Sequence, residues 1–112
     1  MSNKKVPESV ARLTEEFVSQ ITELYGDRLN KVILYGSYAR GEQHEDSDVD
    51  YLVVLNDEEI RTFREISNIS PITFELSLRY LISVSAIPVT KSRFSQDWSP
   101  LFHNVHEDGI ML

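Results

Sequence analysis

Apolar residues in the first quarter of the chain recur with the period of a helix. Val10, Leu13, Phe17, Val18, Ile21 and Leu24 follow a 3.6-residue spacing, with Pro7 ahead of them and Gly26 behind. This predicts an amphipathic helix that begins near the proline and stops at the glycine. The pattern then changes. Lys31-Val32-Ile33-Leu34-Tyr35 is short, β-rich and nearly all apolar, as expected of a strand covered on both faces. A polar connection from Gly36 to Ser47 leads to a second such run, Asp48 to Leu55.

Asp57, Glu58 and Glu59 suit the first turn of another helix, where carboxylates meet the positive end of the dipole. That helix is expected to turn Ile60, Phe63 and Ile66 inward. Pro71 should kink or restart it, with Phe74, Leu78 and Leu81 as the apolar face of its second half. Ile82 to Val89 reads as a third strand, and Pro88 marks it as an edge or a strand end. Thr90 can cap a short helical turn, Ser99-Pro100 is a helix start and Gly109 a stop. The order α-β-β-α-β-α predicts an α/β (α+β) fold, a short mixed β-sheet flanked by helices.

Composition narrows the function. A chain of 112 residues has room for a single domain over 1–112, and its 41% hydrophobic content supports a core. The net charge of −7 argues against direct nucleic-acid binding, because such affinity rests on clustered cations. With no cysteine there are no disulfides, thiolate metal sites or Cys nucleophiles. No apolar run approaches a membrane span and Met1–Lys5 is too polar to open a signal peptide, so a cytoplasmic location is expected.

The chemistry concentrates in Gly36-Ser37-Tyr38-Ala39-Arg40-Gly41 and Ser47-Asp48-Val49-Asp50. Two carboxylates two residues apart on a strand point to the same face and can converge on a cation. Their hard oxygens favour Mg²⁺ or Mn²⁺ over zinc. Gly36 lets backbone N–H groups approach a phosphate, and the Ser37 hydroxyl adds a donor. One strand end would thus hold a triphosphate and the next strand the metal that neutralises it, the division of labour that phosphoryl and nucleotidyl transfer need. Arg40 suits either phosphate contact or a tie to the acidic loop of Glu42, Glu45 and Asp46. Ser47 fits a cap at the start of the Asp48 strand or a ligand contact. Tyr38 fits local packing better than base stacking. His44, His103 and His106 lack acids at ligand spacing, and Trp98 reads as a packing anchor.

These residues resemble the signature of the nucleotidyltransferase superfamily typified by DNA polymerase beta. Within it they most resemble the minimal nucleotidyltransferases (MNT) that accompany HEPN-domain proteins. The pattern there is Gly-Ser, about ten to a dozen residues, then Asp-x-Asp; here Gly36-Ser37 and Asp48-Val49-Asp50 are ten residues apart. Ala39, Arg40, Gly41 and Ser47 match the fuller wording. The ending from Phe102 to Ile110 is similar to the Asn-Val-x-x-Glu-Gly-Ile tail of such proteins, with Asp108 as a departure.

The resemblance implies transfer of AMP from Mg·ATP to a hydroxyl of a partner protein, and an antitoxin role toward a HEPN toxin encoded nearby. Asp48 and Asp50 would be catalytic and hold metal, while Gly36, Ser37, Arg40 and Ser47 would bind nucleotide. So short a chain leaves no pocket for an acceptor of its own, so the acceptor is expected in trans, against exposed apolar surface in the Trp98–Phe102 segment. One departure matters. The superfamily normally carries a third carboxylate on a later strand, whereas Ile82-Ser83-Val84-Ser85-Ala86-Ile87 has serines there. Serine is a poor metal ligand and no base near neutral pH. Glu75 is a possible substitute. The alternative reading is an inactive nucleotidyltransferase fold that neutralises a HEPN partner by contact, with oligomers possible in either case.

Overall fold

The computed structural model describes residues 4–96 and 99–112. Leu13, Phe17, Ile21 and Tyr25 form the buried stripe of α1 (Ala11–Tyr25), which ends where Gly26 turns to a positive φ. The chain enters β1 (Leu29–Tyr35), makes the short helix α2 (Ser37–Arg40), and returns in β2 (Val49–Leu55). Then come α3 (Thr62–Tyr80), β3 (Val84–Thr90), α4 (Lys91–Gln96), α5 (Pro100–Asp108) and β4 (Ile110–Met111).

The four strands form one mixed sheet in the order β3-β2-β1-β4. β1 runs antiparallel to β2 and to β4, while β2 and β3 are parallel. Alternation along the central strands feeds two cores, one on each face. Val32, Leu34, Val49, Tyr51 and Val53 meet α1 and α3, where the Phe17 and Tyr51 rings stack. Ile33, Leu52 and Val54 meet Phe94 of α4 and Phe102 and Val105 of α5. Both predicted inner strands are thus covered on both sides. Pro88 does sit on an edge strand, and the Thr90 hydroxyl accepts the Arg93 N–H at the start of α4. The two-residue β4, unforeseen because it is too short to show a period, follows Gly109 and pairs Ile110 with Leu34.

The third helix departs most from expectation. It starts at Thr62, so Asp57, Glu58 and Glu59 precede it. Asp57 instead binds Arg28, which also grips Glu65 at 2.7 Å. Pro71 lies inside one continuous helix. It removes the N–H that would bond the Ser67 carbonyl, but both residues are exposed, where water can take that carbonyl. The buried face carries Glu65, Ile69 and Leu76, with Ile72 beside them, whereas Phe63, Ile66, Phe74, Leu78 and Leu81 face solvent. Phe102, expected on an exposed partner surface, is buried against Phe94, and Trp98 lies outside the described residues.

Burying Glu65 is possible because its carboxylate receives Arg28, the Tyr25 hydroxyl and Asn68. Burial works to raise its pKa, yet these donors outweigh it and hold the group below the usual glutamate range. A carboxylate with a depressed folded-state pKa contributes stability above its unfolded value and loses it as pH falls through the folded one. Arg28→Ala should therefore cost about 1–3 kcal/mol near neutral pH by stranding Glu65. That corresponds to a melting point lower by about 4–20 °C. Thermal melts should show the deficit narrowing as Glu65 is protonated in acid, and a deficit independent of pH would contradict this account.

Candidate active site

The motif residues meet where β1 ends and β2 begins. The antiparallel register sets Tyr35 opposite Asp50, so the turn at Gly36 falls directly beside that carboxylate. Gly36 has φ +79° and ψ −158°, and a Cβ there would lie 2.6 Å from Asp50 Oδ2. A side chain at that position would have to displace the turn or the carboxylate. Ser37 follows as the first residue of α2, whose Ala39 and Arg40 N–H groups bond the Gly36 carbonyl.

Asp50 shares its face of β2 with Leu52 and Val54 and lies at the rim of the second core, next to half-buried Tyr35. Asp48 is exposed, just before the strand, and the Val49 N–H between the two acids bonds the Ser83 carbonyl. On the other side the parallel register sets Ser85 opposite Asp50, and the Ser85 hydroxyl donates to Asp50 Oδ1 at 2.8 Å. The strand position where a third acid was sought therefore holds a hydroxyl that touches the second one.

Electrostatics follow from this packing. Burial pushes the Asp50 pKa up and the charge of Asp48 adds to it, against the Ser85 hydrogen bond and the charge of Arg40. Tyr35 is pushed up to about 12, first by burial and then by Asp50. Tyr35 was not singled out in the sequence, where it reads only as the end of an apolar strand.

The remaining candidates divide. Arg40 lies near enough to act on Asp50 electrostatically, and its guanidinium is 3.5 Å from Glu42, a tie to the acidic loop. Ser47 is buried and closes the loop: its hydroxyl accepts the His44 N–H at 2.9 Å and its own N–H bonds the His44 carbonyl. Tyr38 is buried in the first core, as local packing requires. Glu75 is not turned to Asp50. It pairs with Arg79, which also binds Glu16 of α1. His106 stacks on Phe94 and bonds its carbonyl. Among the described residues no group of three or more His, Asp or Glu side chains is placed to hold a metal, so any ion here must rest on the Asp48–Asp50 pair and on ligands from elsewhere.

The stretch that carries this glycine turn and both acids falls within a match to a known family. The nucleotidyltransferase domain profile covers residues 14–104. The chain belongs to this nucleotidyltransferase family. A Methanocaldococcus jannaschii relative named as a protein adenylyltransferase is 39% identical over 83 residues, 74% of this chain and 82% of its own. A solved structure described as a minimal nucleotidyltransferase matches all of both chains at 26% identity and a TM-score of 0.63. A tri-AMPylated HEPN toxin of Shewanella oneidensis in complex with its MNT antitoxin supplies another match, at 16% identity and a TM-score of 0.52. That match covers 89% of this chain and 69% of the solved one, and at this identity it shows the fold alone. The mixed sheet and flanking helices expected of a nucleotidyltransferase are thus found. No helix among the described residues is long and apolar enough to cross a membrane.

Proposed function

We propose that this nucleotidyltransferase transfers AMP from ATP to a hydroxyl of a partner protein in the cytosol, and that the partner is a HEPN toxin for which it is the antitoxin. The observation that carries the reading is the Asp50 carboxylate held between the bare Gly36 turn and Ser85, with Asp48 two residues before it. The adenylyltransferase name of the M. jannaschii relative supports the reaction, and the Shewanella pair supports the partner.

Magnesium fits this donor set. It commonly binds through one or two carboxylates and fills its remaining positions with water and substrate phosphates, so two acids suffice. Manganese takes the same hard oxygens. Asp48 and Asp50 would hold the ion, which when bound neutralises charge on the triphosphate and the leaving pyrophosphate. The Gly36–Ser37 backbone and the Ser37 hydroxyl receive the β and γ phosphates, with Arg40 reaching toward them from the end of α2. Ser47 fixes the loop that delivers Asp48. The acceptor oxygen attacks the α-phosphorus as the bond to pyrophosphate breaks. Its proton leaves to water or to a base on the partner, because Ser85 cannot take it near neutral pH.

A contact-only antitoxin is the second reading, and Ser85 in place of an acid is what favours it. Labelled ATP, Mg²⁺ and the HEPN protein distinguish them. Under the proposed reaction the partner gains AMP with the native chain and not with Asp50→Asn. A stable complex that is never labelled selects the contact reading, and neither complex nor label overturns both.

A further inference from the structure

Helix α3 has two apolar faces, and only one is covered. Phe63 is 86% exposed, Ile66 37%, Phe74 67%, Leu78 61% and Leu81, just past the last turn, 90%. With Ser70 these positions advance in steps of three, four, four, four and three, so they form a stripe along the helix. The stripe is symmetric about Ile72. Phe63 and Leu81, Ile66 and Leu78, and Ser70 and Phe74 are equidistant from that residue. Such a stripe is complementary to itself when reversed, which is what a two-fold interface requires of one patch.

We propose that α3 pairs antiparallel with α3 of a second copy of this chain, with the two-fold axis crossing between the two stripes at the level of Ile72. The pairing sets Phe63 against Leu81, Ile66 against Leu78 and the small Ser70 against Phe74 of the other copy. Ser70 can be covered without orphaning its hydroxyl, which donates to the Ile66 carbonyl of its own helix at 2.7 Å. At the far end Phe74, Leu78, Leu81 and Ile82 line a hollow of about 330 Å³, open to receive Phe63 of the second copy.

Area and charge agree with this occupant. At about 150–250 Å² per Phe side chain and somewhat less for Leu and Ile, the five exposed side chains present on the order of 600 Å² per copy. Two copies then cover roughly 1,200 Å², which reaches the range of stable protein interfaces. The area on one copy, on the order of 600 Å², also stands at the upper end of the largest apolar patch on an ordinary monomer, about 300–600 Å². The chain carries −7 overall, but α3 itself balances Arg64 and Arg79 against Glu65 and Glu75. The two copies meet on a helix without net charge, so little of their mutual repulsion is concentrated at the contact.

Light scattering and sedimentation on the full chain, without any partner, are expected to give twice the chain mass. Leu78→Glu should return the chain mass while its circular dichroism stays native and its unfolding stays cooperative, since the side chain is exposed in the monomer, with its melting point lower only by what pairing adds. The chain has no cysteine, so the register can be read by mixing Ser70→Cys and Phe74→Cys chains under oxidation. Mixed disulfides should clearly exceed the half of all products that random pairing alone would give. A wild-type chain that stays at single mass, a dimer unaffected by Leu78→Glu, or dominant Ser70–Ser70 cross-links would each overturn the pairing. If the chain is monomeric and Leu78→Glu abolishes only HEPN binding, the stripe belongs to that partner and self-pairing is wrong.

Discussion

Asp50→Asn is expected to cripple AMP transfer and to raise stability at the same time. Losing one of two anionic metal ligands should reduce turnover by roughly 100- to 1,000-fold, the scale seen when one preorganised electrostatic group is removed from a transfer site. The stability change has the opposite sign. Burial and Asp48 raise the Asp50 pKa, so ionisation is penalised in the folded chain. Below the unfolded value both states are protonated and nothing is lost. As pH rises through the folded value the native chain alone bears the cost, and above it the cost is constant. Asparagine cannot ionise and keeps a carbonyl for the Ser85 hydroxyl. Calorimetry in chelator should therefore show Asp50→Asn melting above the native chain at pH 7 and level with it near pH 3. Adding Mg·ATP should reverse the order, because only the native chain gains binding energy. A variant that melts lower at pH 7 without metal would mean that Asp50 serves the fold rather than the site.

This conflict between site and stability was partly legible in the sequence because its parts are local. Gly36-Ser37 and Asp48-Val49-Asp50 are joined by a short connection, and an antiparallel return brings such neighbours together whatever the rest of the chain does. The Ser85 contact is different in kind. It depends on the parallel register of β2 and β3, set across 35 residues and an intervening helix. The resemblance to nucleotidyltransferases implies an acid where the third strand has serines, and only the register shows which of them touches Asp50.

The buried face of α3 is hidden from the sequence for a related reason. Periodicity identifies apolar stripes but not which stripe is covered, and this helix has two. Hydrophobicity favoured the side with Phe63, Phe74 and Leu78, while the fold buries the side with Glu65. That burial depends on Arg28, which lies 37 residues earlier, beyond any local pattern. The acidic triplet before the helix misled in the same way, since Asp57 serves Arg28 rather than the helix dipole. Where the local signal and the fold agreed, as at Gly26, Thr90 and Pro100, the element ends fell where they were expected.

Gly36→Ala should be the most damaging change that leaves every polar group of the site in place. At φ +79° and ψ −158° the backbone occupies a region open to glycine alone, so alanine bears about 1–3 kcal/mol of strain there. The added methyl also falls 2.6 Å from Asp50 Oδ2, so either the turn or the carboxylate must shift. A displacement near 1 Å at a group that positions the reaction costs about 100-fold in rate. Gly41→Ala is the matched control. It too has a positive φ, +72°, but in the left-handed region, and nothing lies within 4 Å of the added carbon. Its expected cost is about 1–2 kcal/mol of strain, with transfer and metal affinity retained. Melts, Mg·ATP calorimetry and AMP labelling of the partner measure all three quantities on both variants. If both lose the same stability and both still transfer AMP, the contact between Gly36 and Asp50 has no part in positioning the carboxylate. If Gly36→Ala alone loses metal affinity, the glycine is there to clear space for the acid.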